Sequence, residues 1–446
     1  MKKSAKLTDG SIAKTLIKLT APMILGFVSM VAFNLVDTYF VGKLGTNELA
    51  ALSFTFPVIL VIISIALGIG IGVSALVSIA IGEGDHHKVQ RITTDGLILA
   101  FLIVVSFVII GFFTIEILFK ALGATPEIVP LIKEYMTIWY AGMPFVVVPM
   151  IANNAIRATG DTITPTIIML VAVTVNSIMD PLLIFGLGPF PNLGIKGAAI
   201  ATVIARFITF LVALWIIYHR EKMINFKFTK LKEIFQSWKS ILFIGLPIAG
   251  ARVITPITIG IITSIIAKYG LKYVAGFGVA SRIQFFALAV VRSLAAVFGP
   301  FIGQNLGAKK IHRIERGIVL SENFSIITGA LIFIILLLFS RSIAGIFNKD
   351  SIVIETIVFY LSIVPISYGF QGILLISNTS LNVFHKPFQA AGLVIMQMFV
   401  FCIPFAYLGS HFFGIKGIFS GIALAYCLAG IIAHFALKKH LILLKK

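Results

Sequence analysis

The chain has 446 residues, of which 59% are apolar and 12% are charged, and its mean hydropathy is +1.06. A water-soluble fold of this length cannot bury so much apolar surface, so the composition excludes a soluble enzyme and predicts a membrane protein. The net charge of +19 would indicate a nucleic-acid partner in a soluble protein. In a membrane protein it reflects cytoplasmic Lys and Arg, so no nucleic-acid partner is expected.

Stretches of about 20 apolar residues cross a bilayer as helices. The sequence predicts an all-α integral membrane fold, with twelve transmembrane helices in two pseudo-symmetric six-helix lobes. The predicted lobes are 1–219 and 238–446, and a cytoplasmic linker at 220–237 joins them. In chain order the predicted spans are 15–42, 49–80, 92–120, 128–156, 163–187, 194–219, 238–267, 274–304, 317–347, 352–381, 388–410 and 415–437.

The second half of the chain repeats features of the first. The tetrapeptide Gly-Ile-Lys-Gly at 194–197 recurs at 414–417, and Pro22 has a counterpart in Pro247. Internal repeats in a hydrophobic chain are typical of transporters built from two bundles. Six spans per copy return the chain to the same side, so the two copies are predicted to be parallel and related by an axis along the membrane normal.

Two acidic residues are not repeated. Asp37 and Asp180 lie in apolar spans, whereas the equivalent positions of the second half are Ile262 and Val400. A carboxylate inside a bilayer is costly and marks an ion or proton site. The coupling chemistry is therefore predicted in the first lobe.

The distribution of basic residues predicts the orientation. Lys and Arg are concentrated before the first span, at 220–239 and at 309–316, and an even number of spans places both termini on one side. The positive-inside rule makes that side cytoplasmic, in a multi-pass protein of the cell membrane. No cleavable signal sequence is recognised, so the first span is expected to insert the chain.

Four spans of the first lobe offer polar groups at one predicted depth. Carboxylate and amide oxygens suit Na⁺ or a shared proton, and no other metal or cofactor is predicted. Alternatively, the amides and hydroxyls join helices, Tyr135 lies at the interface, or Arg206 pairs with Asp180 in a structural role. The predicted site consists of Asp37, Asn34, Asp180, Asn176, Tyr135 and Thr202.

The second lobe carries arginines inside its spans. Arg252, Arg282 and Arg292 either bond to carbonyl groups and polar side chains such as Glu322, or face a central cavity. In the cavity they would meet an anionic or zwitterionic substrate.

Several motifs resemble the multidrug and toxin compound extrusion (MATE) family over essentially the whole chain. They are Leu-Val-Asp-Thr-Tyr-Phe-Val-Gly at 35–42, Asp-Pro-Leu-Leu-Ile-Phe-Gly at 180–186, Ala-Thr-Gly-Asp-Thr at 158–162 and Gly-Gln-Asn-Leu-Gly-Ala at 303–308. The resemblance implies export of bulky, often cationic organic compounds against H⁺ or Na⁺, by alternating access between the lobes. It is strongest to the branch that has its coupling acids in the N-terminal lobe.

The resemblance also assigns roles to particular residues. It implicates Asp37 and Asp180 in cation or proton binding, with Asn176, Asn153 and Thr202 in the same network, and makes Pro22 a bend in the first span. Two features depart from the pattern. Phe33 stands where relatives can carry a tyrosine, and the arginines within the second lobe argue against a purely cationic substrate range.

The leading hypothesis is a secondary antiporter that acts as a monomer in the lipid bilayer and transports small organic compounds. A flippase for a lipid-linked saccharide is the first alternative, because arginines suit a pyrophosphate. A membrane-embedded transferase is weaker, since its only candidate cluster is at 85–87, between two spans. A channel is weakest, because two similar lobes favour rocking. The sequence contains no nucleotide-binding loop that would make ATP the energy source.

Overall fold

A computed structural model describes residues 5–225 and 230–445, and positions 226–229 of the predicted linker lie outside this range. The all-α prediction is confirmed, because the described residues form helices and short connections without a β-strand. The α-helices are α1 Ile12–Gly42, α2 Thr46–Glu83, α3 His86–Ala121, α4 Val129–Ala158, α5 Ile163–Phe185, α6 Ile195–Trp215, α7 Leu231–Ala267, α8 Leu271–Ala287, α9 Ala289–Gly307, α10 Ile311–Phe347, α11 Ser351–Ile363, α12 Tyr368–Val383, α13 Pro387–Ile395 and α14 Ile403–Lys445.

The helices account for the predicted number of spans. Ten helical segments of the described chain are long and apolar enough to cross a membrane, and α8 and α9 form a further span bent by 44°. The last segment, Pro387–Leu444, contains 58 residues and breaks at Gly414, where the backbone is not helical (φ 61°). Divided there, it supplies two spans, and the described residues contain the twelve that the sequence predicts.

The chain forms two compact units. Unit 1 is built mainly from Ala21–Ala249, and unit 2 contains Lys6–Thr20 and Gly250–Lys446. Both α1 and α7 contribute residues to each unit, and α7 already begins within the predicted linker, at Leu231. The division of the transport lobes at 220–237 stays a prediction.

The repeated tetrapeptide has the same backbone role in each unit. Gly194 adopts φ +54° directly before α6, and Gly414 adopts φ +61° at the break in α14. Such angles strain any residue that has a Cβ atom. Three residues later, Gly197 contacts the backbone of Leu183, and Gly417 contacts the backbone of Gly409. In each case the first glycine allows a turn and the second allows two backbones to approach closely.

Pro22 lies inside α1, which continues through it from Ile12 to Gly42. Its carbonyl oxygen accepts a hydrogen bond from the Oγ1 of Thr166 on α5, at 3.0 Å. The nearby Gly26 also faces α5, where an added Cβ would lie 3.1 Å from the sulfur of Met169. This half of α1 is therefore packed closely on α5, and the role of Pro22 as a bend stays a prediction.

The segment that precedes α1 is bound to unit 2. The Leu7 amide donates to Oε1 of Gln304 at 3.0 Å, and Nδ2 of Asn305 donates to the Leu7 carbonyl at 3.1 Å. Lys310 binds the Asp9 carboxylate at 2.8 Å, and Leu7 is only 3% exposed. The Gly-Gln-Asn-Leu-Gly-Ala motif at 303–308 thus supplies the amides that hold this segment in place.

Just before the start of α5, Asp161 connects this helix to the end of the π-helical turn Ile216–Arg220, which follows α6. Its Oδ1 accepts a hydrogen bond from the Thr164 amide at 3.0 Å, and Arg220 forms an ion pair with its Oδ2. Partial burial raises the pKa of Asp161. Hydrogen bonds from Thr164 and the charge of Arg220 outweigh that effect, so the pKa lies below its ordinary value of 3.8.

We expect Asp161→Asn to lower the melting temperature of the detergent-solubilised protein at pH 7. An acid whose folded-state pKa is depressed contributes stability above pH 3.8, and that contribution is lost as the pH falls through the folded-state pKa. The difference between wild type and variant should therefore shrink below pH 3.8. Arg220→Gln should show the same dependence, and a difference that is constant with pH would contradict the assignment.

Candidate functional site

The two polar residues predicted on α5 are in direct contact. Asn176 and Asp180 stand one helical turn apart, on the same face, and both are fully buried. The Nδ2 of Asn176 donates to Oδ1 of Asp180 at 3.0 Å. The same nitrogen lies 3.4 Å from the Oγ1 of Thr202 on α6, a longer and weaker contact. Asn176 thus joins the α5 carboxylate to α6.

Asp37 on α1 and Tyr135 on α4 complete this group. Asp37 is 9% exposed and Tyr135 is 3% exposed. The Asp37 carboxylate interacts electrostatically with Asp180, and both carboxylates interact with the Tyr135 hydroxyl. The structure therefore brings Asp37, Asp180, Asn176, Thr202 and Tyr135 together within unit 1.

Several oxygens in this part of unit 1 lack a hydrogen-bond donor. A buried acceptor without a donor is unfavourable, and a bound proton or ion would relieve it. Carboxylate and amide oxygens are ligands that Na⁺ accepts, and these residues fit such an ion. Among the described residues, the buried oxygens without a partner include Oδ1 of Asp37, Oδ2 of Asp180, Oδ1 of Asn176 and Oδ1 of Asn153 on α4.

Arg206 does not pair with Asp180, which was the alternative considered from the sequence. Its guanidinium lies over the ring of Phe33, 4.5 Å from the ring centroid, and its charge acts on the Asp37 carboxylate. Phe33 is 7% exposed, so the stacked pair is part of the interior. The arrangement associates Arg206 with Asp37 and leaves Asp180 bonded to Asn176.

Asn34 is not placed with these residues. Its side chain is exposed, and its Nδ2 donates to the carbonyl of Met30 on the same helix at 3.0 Å. The sequence put Asn34 and Asp37 on one side of α1 because three residues separate them. That spacing covers about 300° of helical rotation, which leaves the two side chains about 60° apart. The difference is large enough for one to face the interior and the other to be exposed.

No role in the site was predicted from the sequence for Gly197 or for Phe33. Gly197 lies two residues after the start of α6 and permits the contact with Leu183 that holds α6 close to the end of α5. The repeated tetrapeptide was the available signal for it. Phe33 could have been connected with Arg206 only from the tertiary structure, because 173 positions separate them.

The arginines predicted in the second lobe all belong to unit 2. Arg252 lies on α7, Arg282 on α8 and Arg292 on α9. Arg252 and Arg282 are exposed, and the guanidinium of Arg292 lies over the ring of Phe285, 4.5 Å from its centroid. Pairing with Glu322, one of the alternatives for these arginines, is not formed, because that carboxylate contacts Nδ1 of His434 at 2.9 Å.

The amino-acid sequence of the chain is similar to those of known membrane transporters along most of its length. The MatE family model matches the chain twice, at residues 22–182 and 247–408, and so agrees with the internal repeat. A FAD transporter of Shewanella oneidensis is 35% identical over 435 residues, which cover 98% of this chain and 96% of the relative. The multidrug export protein MepA of Staphylococcus saprophyticus is 23% identical, over 95% of this chain and 93% of that protein.

Solved structures show the same fold. The crystal structure of the Vibrio cholerae MATE transporter VcmN in its bent form has a TM-score of 0.93 and 30% identity. The match covers 97% of this chain and 98% of that one. An outward-facing multidrug resistance transporter of the MATE family has a TM-score of 0.91 and 25% identity, over 99% of this chain and 98% of that one.

Proposed function

Because the chain belongs to the MatE family of membrane transporters, we propose that it is a secondary active antiporter that exports organic compounds. In this proposal H⁺ or Na⁺ enters in exchange, and the protein alternates between inward and outward access. The family consists of transporters, so the membrane-embedded transferase weighed above is set aside.

The observation that supports ion coupling is the buried pair of carboxylates in unit 1. Asp37 and Asp180 interact electrostatically, and each has an oxygen that finds no donor in the described part of the chain. Two like charges in a buried site repel each other, so binding one proton or one Na⁺ between them lowers the electrostatic energy. Each uptake and release of a cation would thus change the stability of the site and bias one conformation over another.

The remaining polar residues have supporting roles in this proposal. Asn176 holds the Asp180 carboxylate in place through the 3.0 Å hydrogen bond, and Tyr135 lies within electrostatic reach of both acids. The amide oxygens of Asn176 and Asn153 would be further ligands for Na⁺. Arg206 stacks on Phe33 and supplies a positive charge near Asp37, so it would limit how tightly a cation is held.

The substrate is proposed to be a small organic compound. One relative is named as a FAD transporter and others as multidrug export proteins. FAD is an anionic dinucleotide. The arginines of unit 2 provide positive charge that such an anion could meet. We therefore propose that the substrate range includes anionic compounds, and that the protein acts as a monomer in the cell membrane with both termini in the cytoplasm.

A flippase for a lipid-linked saccharide is the second candidate. The observation that favours it is the set of arginines in unit 2, because guanidinium groups bind pyrophosphate well. The two candidates differ in their dependence on ions. An antiporter must stop moving its substrate against a concentration gradient when the H⁺ and Na⁺ gradients are removed, whereas a flippase without ion coupling would continue to equilibrate its lipid.

The proposal predicts gradient-driven efflux from proteoliposomes. Vesicles containing the purified protein should move a fluorescent test compound against its gradient when a pH or Na⁺ gradient is imposed. The rate should fall to that of protein-free vesicles when both gradients are collapsed. A panel of cationic and anionic compounds, including FAD, tests the substrate range. Transport that is unaffected by both gradients would contradict the antiport mechanism.

A further inference from the structure

Three arginines inside the spans of unit 2 have no hydrogen-bonding partner among the described residues. Within the described residues, the guanidiniums of Arg252, Arg282 and Arg292 form neither a hydrogen bond nor an ion pair. A guanidinium remains charged in proteins and carries five N–H donors. Placing three of them in membrane-spanning helices is costly unless water or an anion satisfies these donors.

The acids of unit 2 do not neutralise this charge, because three of them are already paired elsewhere. Glu322 contacts His434 at 2.9 Å, Asp350 contacts Lys272 at 2.7 Å, and Asp9 contacts Lys310 at 2.8 Å. The arginines therefore give unit 2 a positive charge that its own ion pairs leave uncompensated.

Arg252 and Arg292 are the two members of the set that act on each other. They come from α7 and α9, and their like charges interact unfavourably. Such a pair becomes favourable when an anion with more than one charge accepts hydrogen bonds from both. A single carboxylate satisfies one guanidinium by bidentate pairing, whereas a phosphate or diphosphate has enough oxygens for two.

The aromatic ring beside Arg292 fixes the orientation of its donors. The guanidinium lies over Phe285, 4.5 Å from the ring centroid, and Phe285 is 40% exposed. Stacking covers one flat face of the guanidinium and leaves its N–H edge free. Arg252 is exposed and Arg292 is half-buried, so both side chains keep some contact with their surroundings.

We infer that Arg252 and Arg292 of unit 2 form a subsite for the phosphate or diphosphate group of an anionic organic ligand, with Phe285 orienting Arg292. The inference rests on the proposed transport function and narrows its substrate class. The ligand is a phosphate ester, which is either a soluble compound or a lipid headgroup.

Binding measurements without any ion gradient test this subsite. The purified protein in nanodiscs of neutral lipid is titrated with FAD and with riboflavin, which has the same ring system without the diphosphate. Wild type should bind FAD more tightly than riboflavin, and inorganic pyrophosphate should compete with FAD. Arg252→Gln and Arg292→Gln should each weaken FAD binding by about tenfold or more, and leave riboflavin binding unchanged.

Two further variants separate specific binding from a general loss of charge. Arg292→Lys keeps the charge without the two-pronged donor edge, so it should lose part of the FAD affinity. Arg341→Gln removes one positive charge near the end of α10, where the side chain is exposed, and should bind FAD as wild type does. All variants are first required to give a single sharp melting transition.

The source of the phosphate is tested by changing the lipid. If a headgroup occupies the subsite, phosphatidylglycerol in the nanodiscs should weaken FAD binding in wild type but not in the two glutamine variants. If soluble esters are the ligands, the lipid should have no effect. Either result supports the phosphate subsite.

The inference is overturned if wild type does not bind FAD, or binds FAD and riboflavin equally. It is also overturned if the Arg252 and Arg292 variants behave like Arg341→Gln. Because no gradient is used, the FAD titration does not depend on whether the acidic residues of unit 1 couple transport to an ion. Failure of the ion-coupling proposal would therefore leave this result interpretable.

Discussion

Asp37→Asn is expected to reduce gradient-driven efflux to the rate of protein-free vesicles. Asparagine has nearly the same shape as aspartate, but it cannot take up a proton or offer a negative charge to Na⁺. Asp37 is 9% exposed and one of its oxygens has no donor within residues 5–225 and 230–445, so its charge is poorly stabilised by the surrounding protein. The variant should therefore remain folded, with a melting temperature within a few degrees of wild type. Efflux and melting are measured on the same purified preparation.

Asp180→Asn should have the same effect on coupled efflux. The Asn176 side chain can still bond to the new amide, because an amide oxygen accepts the hydrogen bond that the carboxylate now accepts at 3.0 Å. The matched control is Asp350→Asn, which removes a carboxylate that pairs with Lys272 at 2.7 Å in unit 2. Efflux by that variant should equal wild type. Coupled efflux that survives in both Asp37→Asn and Asp180→Asn would refute the assigned coupling site.

Gly197→Ala is expected to lower the melting temperature by several degrees and to abolish efflux. The added Cβ would lie 2.4 Å from the carbonyl oxygen of Leu183 and 2.6 Å from its carbonyl carbon. Both are backbone atoms, so no side-chain rotation relieves the clash and the start of α6 must move away from α5. Overpacking of this kind costs about 1–3 kcal/mol, which exceeds the roughly 1 kcal/mol that alanine gains over glycine in a helix.

The same displacement would disturb the candidate site. Thr202 stands on α6 and Asp180 on α5, so moving one helix separates the groups that Asn176 connects. Gly260→Ala is the matched control, since nothing lies within 4 Å of the position its Cβ would take. That variant should melt at or above the wild-type temperature and transport normally. Equal melting temperatures for Gly197→Ala and wild type would show that the close contact is not important for packing.

The all-α fold and the approximate positions of the spans could be predicted from the sequence, because hydrophobicity along the chain is a local property. A run of apolar residues must cross the bilayer as a helix to satisfy its backbone hydrogen bonds. For the same reason the sequence predicts one span for the bent pair of α8 and α9, and two spans for the long segment that breaks at Gly414. The carboxylates at Asp37 and Asp180 also stood out locally, because their charge is costly in an apolar helix.

The tertiary structure decided which polar residues meet. Asp37, Tyr135 and Asp180 come together from three helices, whereas Asn34, three positions from Asp37, is exposed. Arg206 acts on Asp37 and stacks on Phe33, although the sequence allowed a pairing with Asp180. These outcomes depend on how each helix is rotated about its own axis. That rotation is set by contacts between residues far apart in the chain, such as the approach of Gly197 to Leu183, and the local sequence does not contain that information.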